Sequence, residues 1–182
     1  MMPETTRILP IAAADEPILH QPARAVTDLS DPAIQRLLDD MLATLQAANG
    51  VGIAAPQVFA PLRIIIAASR PNPRYPDAPL MEPVVMVNPQ ILWQSAETCT
   101  GWEGCLSVPG LRSPLARSAR LRVRYLTRRG DSVEADYEGF IARIIQHECD
   151  HLDGILFVER VEDEGTIVSE AIFQQMTAAA SA

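Results

Sequence analysis

Two histidines four residues apart, with a glutamate directly after the first, constrain this chain more than any other feature of its sequence. They lie in QHECDHLDG, residues 146–154. Each residue of an α-helix turns about 100°, so His147 and His151 return to one face and can grip a single ion. Cys149, two residues on from His147, points about 200° away and reads as a buried structural thiol. An H-E-x-x-H helix is the arrangement of a hydrolytic metal site whose glutamate acts as general base, which makes Glu148 the candidate for that role. Two histidines do not complete such a site. The fold must carry a third ligand to this helix from elsewhere in the chain.

The surrounding pattern predicts an α+β fold, a single domain over residues 1–182. Apolar residues Ile34, Leu37, Leu38, Met41, Leu42 and Leu45 recur at helical spacing. Ser30 or Asp31 suits the N-cap, Pro32 the first turn and Asn49-Gly50 the stop. RIIIAA from Arg63 reads as a buried strand, and the proline-rich residues 70–83 as an exposed loop. VVMVN from Val84, LRVRYL from Leu121 and SVEADY from Ser132 are further expected strands, the last two joined by a turn near Gly130. A helix is expected from about 139 to 152, with Phe140, Ile144 and His147 along one side. A tail helix is expected over 167–176. Strands grouped between separate helices argue against alternating βαβ units, so antiparallel or mixed sheets are expected around the central HECDH helix.

Charge and cysteine content narrow the setting. The net charge is −8, and all fifteen basic residues are arginine. This balance gives no general attraction to DNA or anionic lipid. The start, MMPETTRILP, has an early glutamate and no apolar core of signal length, and no apolar run approaches the roughly 18 residues of a membrane span. A cytoplasmic protein is expected. Cys99, Cys105 and Cys149 are an odd set without paired spacing, which fits reduced thiols available as metal ligands.

Three segments compete to supply the third ligand. The longer motif with a further histidine fails, because Phe157 stands at its last position. Glu170 lies downstream on the tail helix, as a metallopeptidase would require. Cys99 sits in polar AETCTG, which reads as a loop. Cys105 sits in WEGCLSVPG, where small and apolar neighbours shelter a thiol and let the backbone approach an ion. Chemistry favours Cys105, although a buried cysteine acting as a small hydrophobe satisfies the same segment.

GVGIAAPQ at residues 50–57, EGCLS at 103–107 and QHECDH at 146–151 resemble, in order, the three signature motifs of peptide deformylase. The similarity spans about residues 28–157 and fades in the tail from about 158. The resemblance implies a metal-dependent amide hydrolase that removes the formyl group from formyl-methionyl nascent peptides. It implies Cys105, His147 and His151 as ligands of one divalent ion, Fe²⁺ in the working enzyme, with Zn²⁺, Ni²⁺ or Co²⁺ as substitutes. Glu148 becomes the catalytic acid/base, with the Gln57 amide and the Leu106 backbone N–H donating to the oxyanion. Arg117 is implied to brace Glu103.

The expected substrate-binding residues are Gly50, Val51, Gly52, Glu103, Phe140 and Ile144. Glycines without Cβ admit a peptide close to the backbone, and Val51, Phe140 and Ile144 suit the walls of a methionine slot. Where the family more often has arginine the chain has His20, read as a surface residue. A monomer is expected. Arg120, Arg122 and Arg124 share one strand face. They are read either as a patch for transient ribosome contact or as partners of Glu134, Asp136 and Glu138 on the next strand. A module that holds metal without catalysis would need neither Glu148 nor Gln57.

Overall fold

In the computed structural model the described residues are 6–180; residues 1–5, which belong to the start read above for its lack of a signal core, lie outside them. Helix α1 (Pro32–Ala47) begins where the Asp31 carboxylate accepts a hydrogen bond from the Ala33 N–H. It stops through Asn49, not Gly50: Asn49 takes the left-handed φ of 50°, a conformation asparagine tolerates.

The strands are β1 (Gly52–Ala54), β2 (Ile64–Ser69), β3 (Met81–Gln94), β4 (Thr98–Cys105), β5 (Val108–Ser118), β6 (Arg120–Leu126), β7 (Ser132–Glu138) and β8 (Val168–Ser169). They form two antiparallel sheets, ordered β1-β2-β3-β6-β7 and β4-β5-β8. Helix α2 (Gly139–Leu152) carries the HECDH motif, and α3 (Glu170–Ala180) closes the described chain.

Strand β2 shows why its sequence is apolar without alternation. Ile65 and Ala67 pack toward α2 with Ala142, Ile145, Cys149 and Leu152. Ile64 and Ile66 pack toward α1 with Leu38, Met41 and Leu45. A strand covered on both faces needs hydrophobic residues throughout. Cys149 is buried in the first of these clusters. A third cluster, with Leu19, Val108, Leu115 and Phe157, supports the ligand-bearing end of β4 from below.

Several boundaries differ from expectation. Met81, Glu82 and Pro83, expected in the loop, belong to β3. The pairing of β2 with β3 shifts between Ala67 and Ser69, opposite Pro83, and that of β3 with β6 shifts between Val87 and Gln90, at Pro89. A residue without an N–H is tolerated at such irregularities. Cys99, expected in a loop, lies on β4, paired with Arg117 of β5. The tail helix begins at Glu170, because Val168 and Ser169 pair with Arg112 and Leu111 on β5 instead. Past residue 158 the chain remains packed, with the Phe173 ring 5.2 Å from that of Trp102.

On the exposed face of β6, Arg122 donates to both carboxylate oxygens of Asp136 at 2.7 and 3.0 Å, and Arg124 pairs with Glu134 at 3.2 Å. Arg120 pairs with Glu97 at 3.5 Å. His20 is exposed, with Nε2 2.7 Å from the Ala14 carbonyl.

Candidate metal centre

Helix α2 enters the core from β7 through Gly139, whose φ of 58° lies in the left-handed region that favours glycine. From there the helical period brings His147 and His151 to one face, at the level of the last residue of β4. The β4–β5 pairing shifts between Glu103 and Cys105, and Cys105 then pairs with Val108. This turns Cys105 toward the helix, where its Sγ lies 3.2 Å from His151 Nε2. One ligand atom from each of Cys105, His147 and His151 lies within 4.8 Å of the others. Cys99 is exposed and Glu170 lies elsewhere, pairing with Arg112 Nε at 2.7 Å.

A thiol and two imidazoles form a donor set suited to a divalent transition metal. The burial of the group supports that fit. Among the described residues, Glu148 Oε2 and His151 Nδ1 are buried with no hydrogen-bond partner. An unpaired buried oxygen such as Glu148 Oε2 is uncommon and calls for a polar species at the site, whereas His151 Nδ1 is on the opposite side of its ring from the Nε2 that faces Cys105. Burial pushes the Glu148 pKa up to about 7. Burial also lowers that of His151, and the positive charges of His147 and Arg117 lower it further. For His147, burial opposes protonation, but hydrogen bonds with Cys105 and Glu103 outweigh it and hold the pKa above the ordinary value.

Glu103 stands behind this centre and also lines the cleft above it, with its carboxylate turned to protein donors. Its Oε1 accepts from Arg117 Nε at 2.9 Å and Arg143 Nη1 at 2.8 Å. Its Oε2 accepts from Arg117 Nη2 at 2.9 Å and lies 3.0 Å from His147 Nδ1. Burial raises the pKa of Glu103, but the Arg117 and His147 hydrogen bonds overcome it and hold the carboxyl well below the usual range. A carboxylate with both oxygens filled by protein donors has no acceptor left for a peptide. Arg117 also donates to Asp150 at 2.6 Å, tying this group to the helix from behind.

A cleft lies over the centre, lined by Gly50, Val51, Gly52, Gln57, Leu106, Phe140, Ile144 and Glu148 together with Cys105 and His147. Gln57 is held in one orientation: its Oε1 accepts from the Ala54 N–H at 2.9 Å, so its Nε2 points toward Ser107 Oγ at 3.2 Å and Cys105 Sγ at 3.5 Å. Gly52 lies directly against Glu148. A Cβ there would stand 2.8 Å from Glu148 Cδ, so the glycine makes room for the catalytic candidate itself.

Arg74, Tyr75, Trp102, Arg112 and Arg143 also line the cleft, and none was expected there. Tyr75 reaches it from the proline-rich loop, its ring 5.0 Å from Phe140 and its hydroxyl accepting from Arg112 Nη1 at 2.7 Å. No local periodicity signals such a contact. Arg143 did leave a trace: it stands four residues before His147, a charge one helical turn from a candidate ligand.

Comparison with known proteins identifies the family. A family profile described as polypeptide deformylase matches residues 8–166. The chain is 49% identical over 169 residues to peptide deformylase 2 of Nostoc sp., covering 93% of this chain and 94% of that one. It is 53% identical over 152 residues to peptide deformylase 2 of Shewanella oneidensis, covering 84% and 83%. Among solved structures it resembles a Met-Ala-Ser-bound class I type b peptide deformylase from Acinetobacter baumannii, with a TM-score of 0.85, 54% identity, and coverage of 86% of this chain and 100% of that one. The peptide deformylase of Thermotoga maritima gives a TM-score of 0.77 at 34% identity, covering 86% and 99%.

Proposed function

Because this chain belongs to the polypeptide deformylase family and is a metal-dependent amide hydrolase, we propose that it removes the formyl group from formyl-methionyl nascent peptides. In this reading Cys105, His147 and His151 hold one divalent ion and Glu148 is the general acid/base. The observation that carries it is the convergence of these three ligand atoms within 4.8 Å, beside a buried glutamate and beneath a cleft. The similar Acinetobacter baumannii structure is described as bound to Met-Ala-Ser, which supports a methionine-first peptide as occupant of that cleft.

When bound, the ion supplies Lewis acidity and lowers the pKa of a coordinated water toward neutrality. Glu148, next to a ligand on the helix and with its pKa raised by burial in the metal-free protein, is placed to accept a proton from the attacking water and to deliver it to the departing amine. As the formyl carbonyl oxygen gains negative charge, the fixed Gln57 amide and the Leu106 N–H donate to it. Val51, Phe140 and Ile144 wall the slot for the methionine side chain, while Gly50 and Gly52 bring the peptide backbone close. A Cys/His₂ set accepts several ions; the resemblance favours Fe²⁺ over Zn²⁺, Ni²⁺ and Co²⁺.

The competing metallopeptidase reading requires Glu170 as a ligand, but Glu170 pairs with Arg112. Among the described residues no helix is long and apolar enough to cross a membrane, and we place the enzyme in the cytoplasm as a monomer. Anaerobic purification with metal analysis and a formate-release assay on formyl-Met-Ala-Ser tests the whole reading. One metal per chain with release of formate is expected. A metal-loaded protein that releases no formate, or that cuts internal peptide bonds instead, refutes it.

A further inference from the structure

Arg143 is buried one helical turn before His147, and among the described residues its side-chain hydrogen bonds lead to the sheet that carries Cys105. Its Nη1 donates to Glu103 Oε1 at 2.8 Å and to the Leu115 carbonyl at 2.9 Å, and its Nη2 donates to the Cys99 carbonyl at 2.7 Å. Cys99 and Glu103 lie on β4 and Leu115 on β5, so one guanidinium grips both strands of the hairpin. The hairpin is shaped to receive it. A Cβ at Gly101 would stand 3.0 Å from Arg143 Nε and 3.1 Å from Cζ, so the planar group lies against bare backbone.

Arg143 and His147, four residues apart, approach the Glu103 carboxylate side by side from one helix face. Arg143 takes Oε1 and His147 Nδ1 takes Oε2. Arg117 grips the same two oxygens from β5. His147 Nδ1 faces Glu103 Oε2 at 3.0 Å, which leaves Nε2 turned to the ligand set. Removing Arg143 takes one of two donors from Oε1 and detaches α2 from the Cys99 and Leu115 carbonyls.

We infer that Arg143 is a positioning residue for the metal centre. It orients His147 through Glu103 and fixes β4, which carries Cys105, against α2, which carries both histidines. The inference rests on the reading of Cys105, His147 and His151 as ligands. It also requires arginine, because the three acceptors are served from two separate nitrogens of one planar fork, whereas the donors of an ammonium all sit on a single nitrogen.

The test is Co²⁺ binding by the wild type, Arg143→Met, Arg143→Lys and Val87→Ala, read as affinity in chelator competition and as the visible spectrum of the bound ion. Val87 is buried in the core against α1 and serves as a destabilised control away from the centre. Arg143→Met is expected to bind roughly 10–100-fold more weakly with an altered spectrum, as loss of a group supporting a ligand commonly does. Arg143→Lys is expected to fall between it and the wild type, and to carry the test if Arg143→Met does not fold. Val87→Ala should match the wild type in both readouts. Wild-type affinity and spectrum in Arg143→Met, or in Arg143→Lys, overturn the inference while leaving the ligand assignment standing. An equal loss in Val87→Ala also overturns it, since general destabilisation then explains the effect. A wild type that binds no Co²⁺ overturns the ligand assignment and the inference together.

Discussion

Glu148 sits where burial and function pull in opposite directions. Its native pKa is pushed up to about 7 from 4.5, so the folded, metal-free protein holds this proton more tightly than the unfolded chain does. Stability from this group is therefore fully present below 4.5 and is lost as pH rises through about 7. Thermal unfolding of the metal-free protein across that window should show the wild type losing stability relative to Glu148→Gln as pH rises. Parallel pH profiles for the two proteins would remove the buried carboxyl as the cause. In the loaded enzyme, Glu148→Ala should keep the metal and lower kcat by about 10²–10⁴-fold, the usual worth of a general acid/base. Gln57 is constrained differently, since the Ala54 N–H fixes which end of its amide faces the cleft. Gln57→Leu should lower kcat by about 10²–10³-fold with metal content unchanged, as loss of one oxyanion donor does. Steady-state kinetics beside metal analysis separate these two variants from simple loss of the ion.

At the scale of elements, the C-terminal end of α2 is where the ligand helix meets the amino-terminal segment. Gly154 has φ +76°, and a Cβ there would stand 2.8 Å from the backbone at Gln21 N and His20 C. Just before it, the Leu152 carbonyl accepts from the Ala23 N–H at 2.8 Å. Gly154→Ala combines left-handed strain of about 1–2 kcal/mol with displaced backbone. A melting temperature lower by at least about 2–4 °C is expected for a chain of this size. Calorimetry of the loaded protein checks it, with an unchanged melting temperature as the contrary result. Strand β6 gives a prediction of the opposite kind. Arg122 and Arg124 are exposed and paired across to Asp136 and Glu134, and water screens such pairs so that they add little to stability. Their charges are largely answered within the sheet. Changing Arg120, Arg122 and Arg124 together to Gln should leave co-sedimentation with ribosomes unaltered; a salt-dependent loss of binding in that variant would restore the basic patch.

For the molecule as a whole, the ion would join one element of each sheet system, because Cys105 lies on the β4–β5 hairpin while both histidines lie on α2 beneath the larger sheet. Binding energy at such a junction is also folding energy. Saturating Ni²⁺ should raise the melting temperature of the metal-free wild type. The stabilisation is about 2.7 kcal/mol when free metal stands at a hundred times its Kd. Cys105→Ala should lose that rise, and a variant that keeps it would disqualify the thiol as a ligand. Cys105 is only partly buried, so a thiolate beside a redox-active ion is open to oxidation. Activity of the Fe²⁺ form should decay in air faster than that of the Ni²⁺ form.

Much of this architecture is written in local spacing. The 3.6-residue period alone places His147 and His151 on one face and sends Cys149 into the core, and the uninterrupted apolar run at residues 64–67 announces a strand covered on both sides. The three motifs gave the family and the residues to examine. The β4–β5 hairpin was not legible, because TCTGWEGC and VPGLRSPLARS have no clean alternation and each strand is held chiefly by the other. The choice among Cys99, Cys105 and Glu170 was therefore beyond composition and periodicity, and the family resemblance anticipated it. Physically, it depends on the register shift after Glu103 that turns Cys105 toward α2. Glu103 shows the same division. Its sequence neighbours place it beside the metal motif, but only the folded chain brings Arg117, Arg143 and His147 onto its two oxygens. Helical and strand periods are properties of the backbone and survive in the sequence; the meeting of side chains from distant segments is set by packing and exists only in three dimensions.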